Sequence, residues 1–261
     1  MECAKVVFFT LVLSLAWARG AEEKWIRAAP PCDFPAMYNF GRASDGRLII
    51  DFIAEHLGLP HLSSYLDSIG ANYRHGANFA SGGSTIRRQN ESIFENGLSP
   101  FSLDIQIAHF DQFKERTSEL YRQDKDPYDM NKLPRPREFS RALYIFYIGQ
   151  NDLAAGFGSL VPYNLRLQFL TLLINLLWQL HICINEGQGH SGSIILDLLA
   201  QNNMAIEFNR QLKTQVTKLR RELPRAALIY VDIYSAKYHL IRKAEYYGFM
   251  DPSKICCGHH E

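Results

Sequence analysis

The sequence has almost no excess charge of either sign and no long run of like charges. Its 28 Lys and Arg residues stand against 27 Asp and Glu residues, which gives a formal net charge of +1. Proteins that bind mainly nucleic acid usually carry a basic excess or a basic stripe. The balance therefore argues against a nucleic-acid partner, and the basic pairs Arg87-Arg88 and Arg220-Arg221 are interpreted as solvated surface.

An apolar run long enough to span a membrane is also missing. The apolar core near the N-terminus covers only residues 6–17, and polar side chains interrupt the later apolar stretch at 167–184. Both features make a stable spanning helix costly, so membrane insertion is not expected. Lys5 before the first run and small residues among 16–21 after it form the pattern of a secretory signal. Residues 1–21 are therefore predicted to be a signal peptide, and the mature chain to be secreted.

Cysteine is sparse, with five residues in the whole chain, and Cys3 would leave with the signal. The remaining four face an oxidising compartment, and their pairing does not follow from the sequence; for the adjacent pair at 256–257, disulfides or unpaired thiols are expected rather than a metal site with His259 and His260. These four are Cys32, Cys183, Cys256 and Cys257. In a secreted chain the sequon Asn90-Glu91-Ser92 predicts glycosylation of Asn90 on a surface loop.

The strongest structural signal is an unbroken apolar run at 142–148 that stops at a glycine and polar residues. A strand buried on both faces has no reason to alternate, so the run predicts a central strand of a parallel sheet. Ligand sites in such sheets lie beyond the carboxyl ends of the strands. Gly149 permits a sharp turn there, and Asn151 and Asp152 follow it. The alternative is a plain polar loop in which Asn151 caps the next helix.

Helical and strand-like patterns alternate along the rest of the chain. Apolar residues at helical spacing predict helices at 48–57, 103–120, 204–223 and 235–246. Short apolar runs predict strands at 32–41, 77–80 and 226–233. With 261 residues, 47% of them hydrophobic, the chain is long enough for one large α/β domain. The expected architecture is an α/β sandwich with a mostly parallel sheet.

Three blocks of the sequence resemble the plant GDSL esterase/lipase family of SGNH hydrolases. They are CDFPAMYNFG at 32–41, SDGRLIIDFIAEHLGLP at 44–60 with GANFASGGSTIR at 76–87, and YIGQND at 147–152. The segments EFNRQLK, YVDIYSAKYHLI and DPSKICCG resemble its branch of early-nodulin-like and fucosidase-like proteins. The resemblance covers most of the chain after the signal.

This resemblance implies a flavodoxin-like, three-layer α/β/α sandwich and the hydrolysis of esters. In the family a serine after the first strand attacks the ester carbonyl, and a C-terminal Asp-x-x-His supplies the base and its orienting partner. The oxyanion is held by N–H groups of the serine, a glycine and an Asn side chain. By position these last two are Gly83 and Asn151. No cofactor or metal is implied.

The nucleophile itself is missing from the pattern. The family continues from the Asn-Phe-Gly of the first block into Asp-Ser and a loop, whereas here Gly41 is joined directly to Arg42. Ser44 matches a downstream serine of the family and does not replace the nucleophile. The Asp-x-x-His block is not found either, and His259 and His260 do not match it.

Between about 159 and 200 the resemblance vanishes. Plausible codons for the family's Pro-Asp-Ile-Ile-Asn, read one nucleotide downstream, encode residues 169–173, and a Trp-Ile-His segment read in the same way encodes 191–200. We interpret 159–200 as an out-of-frame segment within one partial domain at 32–261. The G-x-G-x-x-G match at 187–192 lacks a preceding predicted strand and is not interpreted as a dinucleotide site.

Three functions are compatible with this sequence. The ancestral one is a secreted, monomeric hydrolase of a small acyl, acetyl or glycoside ester, although this chain is expected to be inactive because it lacks the nucleophile. The second is a pseudoenzyme that binds such a ligand without converting it. The third is a product without function, since a foreign insert would leave apolar faces uncovered.

Overall fold

The computed structural model describes residues 5–9, 48–67, 69–88, 99–123, 130–152, 191–196, 202–224 and 227–248. Six strands form one sheet: β1 (Lys5–Phe9), β2 (Ser63–Ser64), β3 (Gly76–Asn78), β4 (Ala142–Tyr147), β5 (Ser191–Leu196) and β6 (Ala227–Asp232). Four helices accompany them: α1 (Ile49–His56), α2 (Leu103–Arg122), α3 (Asn202–Glu222) and α4 (Ile233–Arg242). Short 3-10 helices cover Pro136–Arg141 and Glu245–Tyr247.

The sheet has the order β2-β3-β1-β4-β5-β6, and every pairing in it is parallel. Parallel strands need crossover connections, which explains the alternation of helices and strands along the chain. The expected sandwich with a largely parallel sheet is therefore confirmed. Because the strands run in one direction, their carboxyl ends share one edge of the sheet.

Side chains of β4 alternate between two apolar layers. Tyr144 and Phe146 pack in a cluster with residues of α2 and α3, while Ile145 and Tyr147 pack in a second cluster with residues of α1. This two-sided burial is the reason why the apolar run of β4 shows no alternation. It also confirms the three-layer arrangement.

The helices follow the predicted apolar periodicity closely. Helix α1 begins after Leu48, whose N–H donates to the Asp51 carboxylate at 2.8 Å, and it ends before Gly58, which has a φ of 67°. A positive φ is easy for glycine and ends helices readily. The last predicted helix is interrupted, because α4 stops at Arg242 and a 3-10 turn follows at Glu245–Tyr247.

Two strands come from unexpected parts of the sequence. Lys5–Phe9, which the sequence assigns to a signal peptide, forms β1 between β3 and β4. Ser191–Leu196, which lies in the segment interpreted as out of frame, forms β5 between β4 and β6. Gly192 thus belongs to a strand and does not open a helix, as a dinucleotide-binding loop requires. The predicted strand at 32–41 lies outside the described residues.

Phe110 on α2 is the best test of the larger apolar layer. It is fully buried, and its ring contacts Phe79, Phe139 and Tyr144 edge-on. We expect Phe110→Ala to lower the free energy of unfolding by about 3–5 kcal/mol, because it leaves a cavity in a packed core. Urea titration followed by circular dichroism measures the change.

The matched control is Phe52→Ala on α1, where the side chain is 51% exposed. This substitution should cost about 1 kcal/mol or less. Similar losses for the two variants would mean that α2 does not pack on the sheet as described.

Candidate active site

The candidate site lies where β4 ends at the carboxyl edge of the sheet. Ile148 follows the strand, and Gly149 then adopts a φ of 116°, a backbone conformation that residues other than glycine rarely adopt. Gln150, Asn151 and Asp152 continue directly in helical conformation. The turn therefore places Asn151 and Asp152 directly after the carboxyl end of β4.

Asn151 is 92% buried and binds the glycine-rich loop after β3. Its Nδ2 donates to the carbonyl oxygen of Ser84 at 2.7 Å, and its exposed fraction is 8%. Asn151 already lies within the helical turn, and its side chain contacts a distant loop. The simple capping role considered from the sequence therefore does not describe what this side chain does.

Asp152 holds the same loop more firmly. One carboxylate oxygen accepts the N–H of Ile86 at 2.8 Å, and the other accepts the N–H of Arg87 at 3.2 Å. The residue is 2% exposed. Hydrogen bonds to an ionised carboxylate are stronger than neutral ones, so this pair fixes the backbone at 86–87 relative to β4.

The loop is braced on its other side by the residues that lead into α2. The carbonyl oxygen of Gly83 accepts the N–H of Ser99 at 2.9 Å, and the Ser84 hydroxyl donates to the Phe101 carbonyl at 2.8 Å. Gln106 Nε2 donates to Ser84 Oγ at 2.8 Å. Gly83 itself has a φ of 79°, so the loop conformation depends on a glycine there.

Burial raises the pKa of Asp152 to about 6 from an ordinary value of 3.8. The N–H groups of Ile86 and Arg87 and the positive charge of Arg87 lower the pKa, but they offset the cost of burial only in part. A carboxyl group with this pKa changes charge in mildly acidic solution. The loop contact is therefore a neutral one at low pH and a charge-assisted one above about pH 6.

Of the two residues that the sequence selects as oxyanion donors, Asn151 is bonded to Ser84, the residue that follows Gly83. Their catalytic role stays a prediction. Asp152 was singled out in the sequence only for following Asn151, and its bonds to Ile86 and Arg87 were missed because no local pattern links residues 66 positions apart. Asn90, the stretch at 167–184 and the cysteines Cys32, Cys183, Cys256 and Cys257 lie outside the described residues.

Neither a metal centre nor a membrane span is found in the described ranges. They contain no group of three or more His, Cys, Asp or Glu side chains placed to hold a metal ion. None of the helices in this part of the chain has the length and apolarity that crossing a bilayer requires.

Comparison with known proteins supports one family. The profile of the GDSL-like lipase/acylhydrolase family matches residues 14–261. A GDSL esterase/lipase of Arabidopsis thaliana is 43% identical to this chain. The match covers all of this chain and 82% of the relative's length. A GDSL esterase/lipase of Zea mays is 40% identical over 89% of this chain and 65% of its own length. An esterase of Hevea brasiliensis is 36% identical over 97% of this chain and 75% of its own length.

Asp152 gives a prediction for the pH dependence of stability. Its pKa is higher in the folded state than in the unfolded state, so the folded protein binds the proton more tightly. The stabilisation of the folded state by protonated Asp152 is complete below about pH 4 and is lost as the pH rises through about 6. Relative to Asp152→Asn, the wild type should therefore lose up to about 3 kcal/mol between pH 4 and pH 7.

Urea titrations at intervals of half a pH unit measure this difference. Glu222→Gln is the control, since Glu222 is an exposed carboxylate at the end of α3. Its curve should run parallel to that of the wild type. A wild type that gains stability relative to Asp152→Asn over this range would show that the two N–H donors outweigh burial.

Proposed function

The chain belongs to the GDSL-like lipase/acylhydrolase family, and we propose that it binds small ester ligands at the carboxyl edge of its sheet without hydrolysing them. The family as a whole consists of ester hydrolases. The observation that carries the proposal is the direct junction of Gly41 and Arg42, at the place where the family pattern has its nucleophilic serine. Without a nucleophile, a site of this type keeps only the weak effects of binding and of its oxyanion donors.

The binding half of the site is supported by the geometry around Asn151. A side-chain amide carries two N–H groups, and the bond to the Ser84 carbonyl uses one of them. Among the described residues the second N–H has no hydrogen-bond partner, and we propose that it donates to the carbonyl oxygen of a ligand. Gly83 precedes Ser84, the residue that Asn151 binds, in a loop that Ser99 and Gln106 brace, and we propose that its backbone N–H is the second donor.

Rigid placement matters because an oxyanion donor is useful only when it needs no reorganisation. The ligand class that such donors recognise is a carbonyl compound, so the proposed ligands are acyl or acetyl esters of small molecules, including glycosides. Asp152 contributes indirectly, since its bonds to Ile86 and Arg87 fix the far end of the loop.

We further propose that the protein is a secreted, monomeric glycoprotein. The supporting signals are the apolar leader at 1–21 and the sequon at Asn90. Removal of the leader would also remove β1, the strand that joins β3 to β4. The processed chain would then need another strand between β3 and β4, or it would keep a divided sheet.

A second candidate is a complete, active esterase that is made from a longer transcript. The alignment with the 43% identical relative covers 317 positions, although this chain has 261 residues, so the relative has segments inside the matched region that this chain lacks. Sequencing the transcript across Gly41 and Arg42 separates the candidates. A restored Gly-Asp-Ser would favour the active esterase, whereas the direct junction would favour the binding protein.

The proposed binding without turnover can be measured on the purified full chain. With p-nitrophenyl acetate we expect no multiple-turnover release of p-nitrophenol above the rate in buffer. With the non-hydrolysable amide N-phenylbutyramide, calorimetry should detect binding, and Asn151→Ala should weaken it by about tenfold because one hydrogen bond to the carbonyl is lost.

Asn209→Ala is the matched control, since this amide on α3 is buried to the same degree, at 7% exposure. It should leave the affinity for the amide unchanged. Continued turnover that depends on Asn151 would contradict the loss of activity, and equal affinities of the wild type and Asn151→Ala would contradict the location of the ligand.

A further inference from the structure

Arg87 and Arg88 are adjacent in the sequence but lie in different surroundings. The side chain of Arg88 is 76% exposed, and its Nε forms an ion pair with the carboxylate of Asp104. Arg87 is half-buried in the loop that Asn151 and Asp152 bind. The interpretation of this basic pair as solvated surface therefore fits Arg88 and does not fit Arg87.

The guanidinium group of Arg87 has no acceptor among the described residues. No carboxylate there forms an ion pair with it, and its Nε is shielded from solvent without a hydrogen-bond partner. A buried donor without a partner costs free energy, and such donors in folded proteins usually bind protein, water or a ligand. Nη1 and Nη2 are not shielded in this way, so they are open to a partner from solution.

Asp152 is influenced by the charge of Arg87 but does not pair with the guanidinium. The positive charge lowers the pKa of Asp152 against the larger effect of burial, which puts the guanidinium close to the end of β4. Both carboxylate oxygens of Asp152 accept backbone N–H groups, from Ile86 and from Arg87 itself. The cation is thus near the candidate site, and its terminal N–H groups remain available there.

A guanidinium held in this way is suited to a carboxylate. Its terminal nitrogens present parallel N–H groups whose spacing matches the two oxygens of a carboxylate. The backbone of Arg87 is fixed at both its N–H, which donates to Asp152, and its carbonyl oxygen, which accepts the hydroxyl of Thr85. Less conformational entropy is therefore lost on binding than for an arginine on a free surface loop.

A purely structural role for Arg87 is the alternative. In that case its charge would only favour the ionised form of Asp152 and so help to hold the loop. Such a role affects the stability of the protein, but it gives no preference for a charged ligand over a neutral one of the same shape. The two roles therefore differ in a measurable way.

We propose that Arg87 forms an anion subsite beside the candidate site, and that the ligands are monoesters of short dicarboxylic acids. This inference rests on the proposed binding of the ester carbonyl at Asn151. The carbonyl oxygen accepts the free N–H of the Asn151 amide, and the carboxylate at the other end of the acyl chain accepts N–H groups from Nη1 and Nη2 of Arg87. No covalent bond forms or breaks.

Calorimetry on the purified full chain with two stable anilides tests the proposal. N-phenylsuccinamate differs from N-phenylbutyramide only in having a carboxylate in place of the terminal methyl group. At pH 5.5 and low salt, where Asp152 is mostly uncharged, we expect N-phenylsuccinamate to bind about tenfold more tightly. Raising the ionic strength to about 0.3 M should reduce this ratio, because salt screens the charge of Arg87.

Three variants identify the residue that is responsible. Arg87→Gln removes the charge and should lower the ratio of the two affinities to about one, with folding checked by circular dichroism. Arg87→Lys keeps the charge without the planar pair of donors and should retain only part of the ratio. Arg88→Gln is the matched control, since this exposed neighbour is paired with Asp104, and the ratio should stay as in the wild type.

Asn151→Ala separates the two proposals, because it should weaken both anilides by the same factor and leave their ratio unchanged. Equal affinities of the wild type for the two anilides, or a tenfold ratio that persists in Arg87→Gln, would overturn the anion subsite alone. Binding of N-phenylsuccinamate that depends on Arg87, without binding of N-phenylbutyramide, would support the anion subsite and contradict the carbonyl site. Absence of binding for both anilides would overturn both proposals.

Discussion

Burial of β4 on both faces is the constraint on which the rest of the structure depends. Its side chains alternate between the layer of α2 and α3 and the layer of α1, so neither layer can shift without exposing apolar groups. This fixed strand determines where Gly149 turns and therefore where Asn151 and Asp152 lie. The polar contacts of the site are thus positioned by apolar packing, which is stronger in total than any of them.

The site itself is a set of bonds between segments that are distant in sequence. Asp152 and Asn151 reach from the end of β4 to the loop that contains Gly83, and Ser99 and Gln106 reach it from the entrance of α2. The contacts of Asp152, Asn151 and Ser99 each satisfy a backbone N–H or C=O group of the loop, which would be costly to leave unpaired. A loop held in this way keeps its backbone groups in fixed positions at the carboxyl edge of the sheet.

The sequence predicted the elements whose evidence is local. Apolar periodicity located α1, α2 and α3, and the unbroken apolar run located β4, because these patterns reflect which faces are buried. The polar residues after Gly149 could be selected as a candidate site because they directly follow the end of a predicted parallel strand. The bonds of Asp152 to Ile86 and Arg87 could not, since they depend on the path of the chain between elements.

The strand pairings were the hardest part to predict. Residues at the N-terminus carry the composition of an export signal, yet an apolar run of this kind also satisfies a central strand. Composition alone cannot distinguish the two environments, because both are apolar. The same holds for Ser191–Leu196, whose short apolar run pairs with β4 and β6 whatever its origin.

The position of β1 has a consequence for the order in which the sheet assembles. Val6 pairs with Gly76 and Lys5 pairs with Ala142, so the first strand to leave the ribosome contacts partners that are made much later. Contacts of such long range form slowly because the intervening chain must first close into a loop. During synthesis the N-terminal segment therefore stays unpaired until β3 has emerged, and its second neighbour, β4, follows later. During that interval other factors that bind apolar segments can reach the unpaired N-terminus. The relative rates of their binding and of strand pairing determine which of the two occurs.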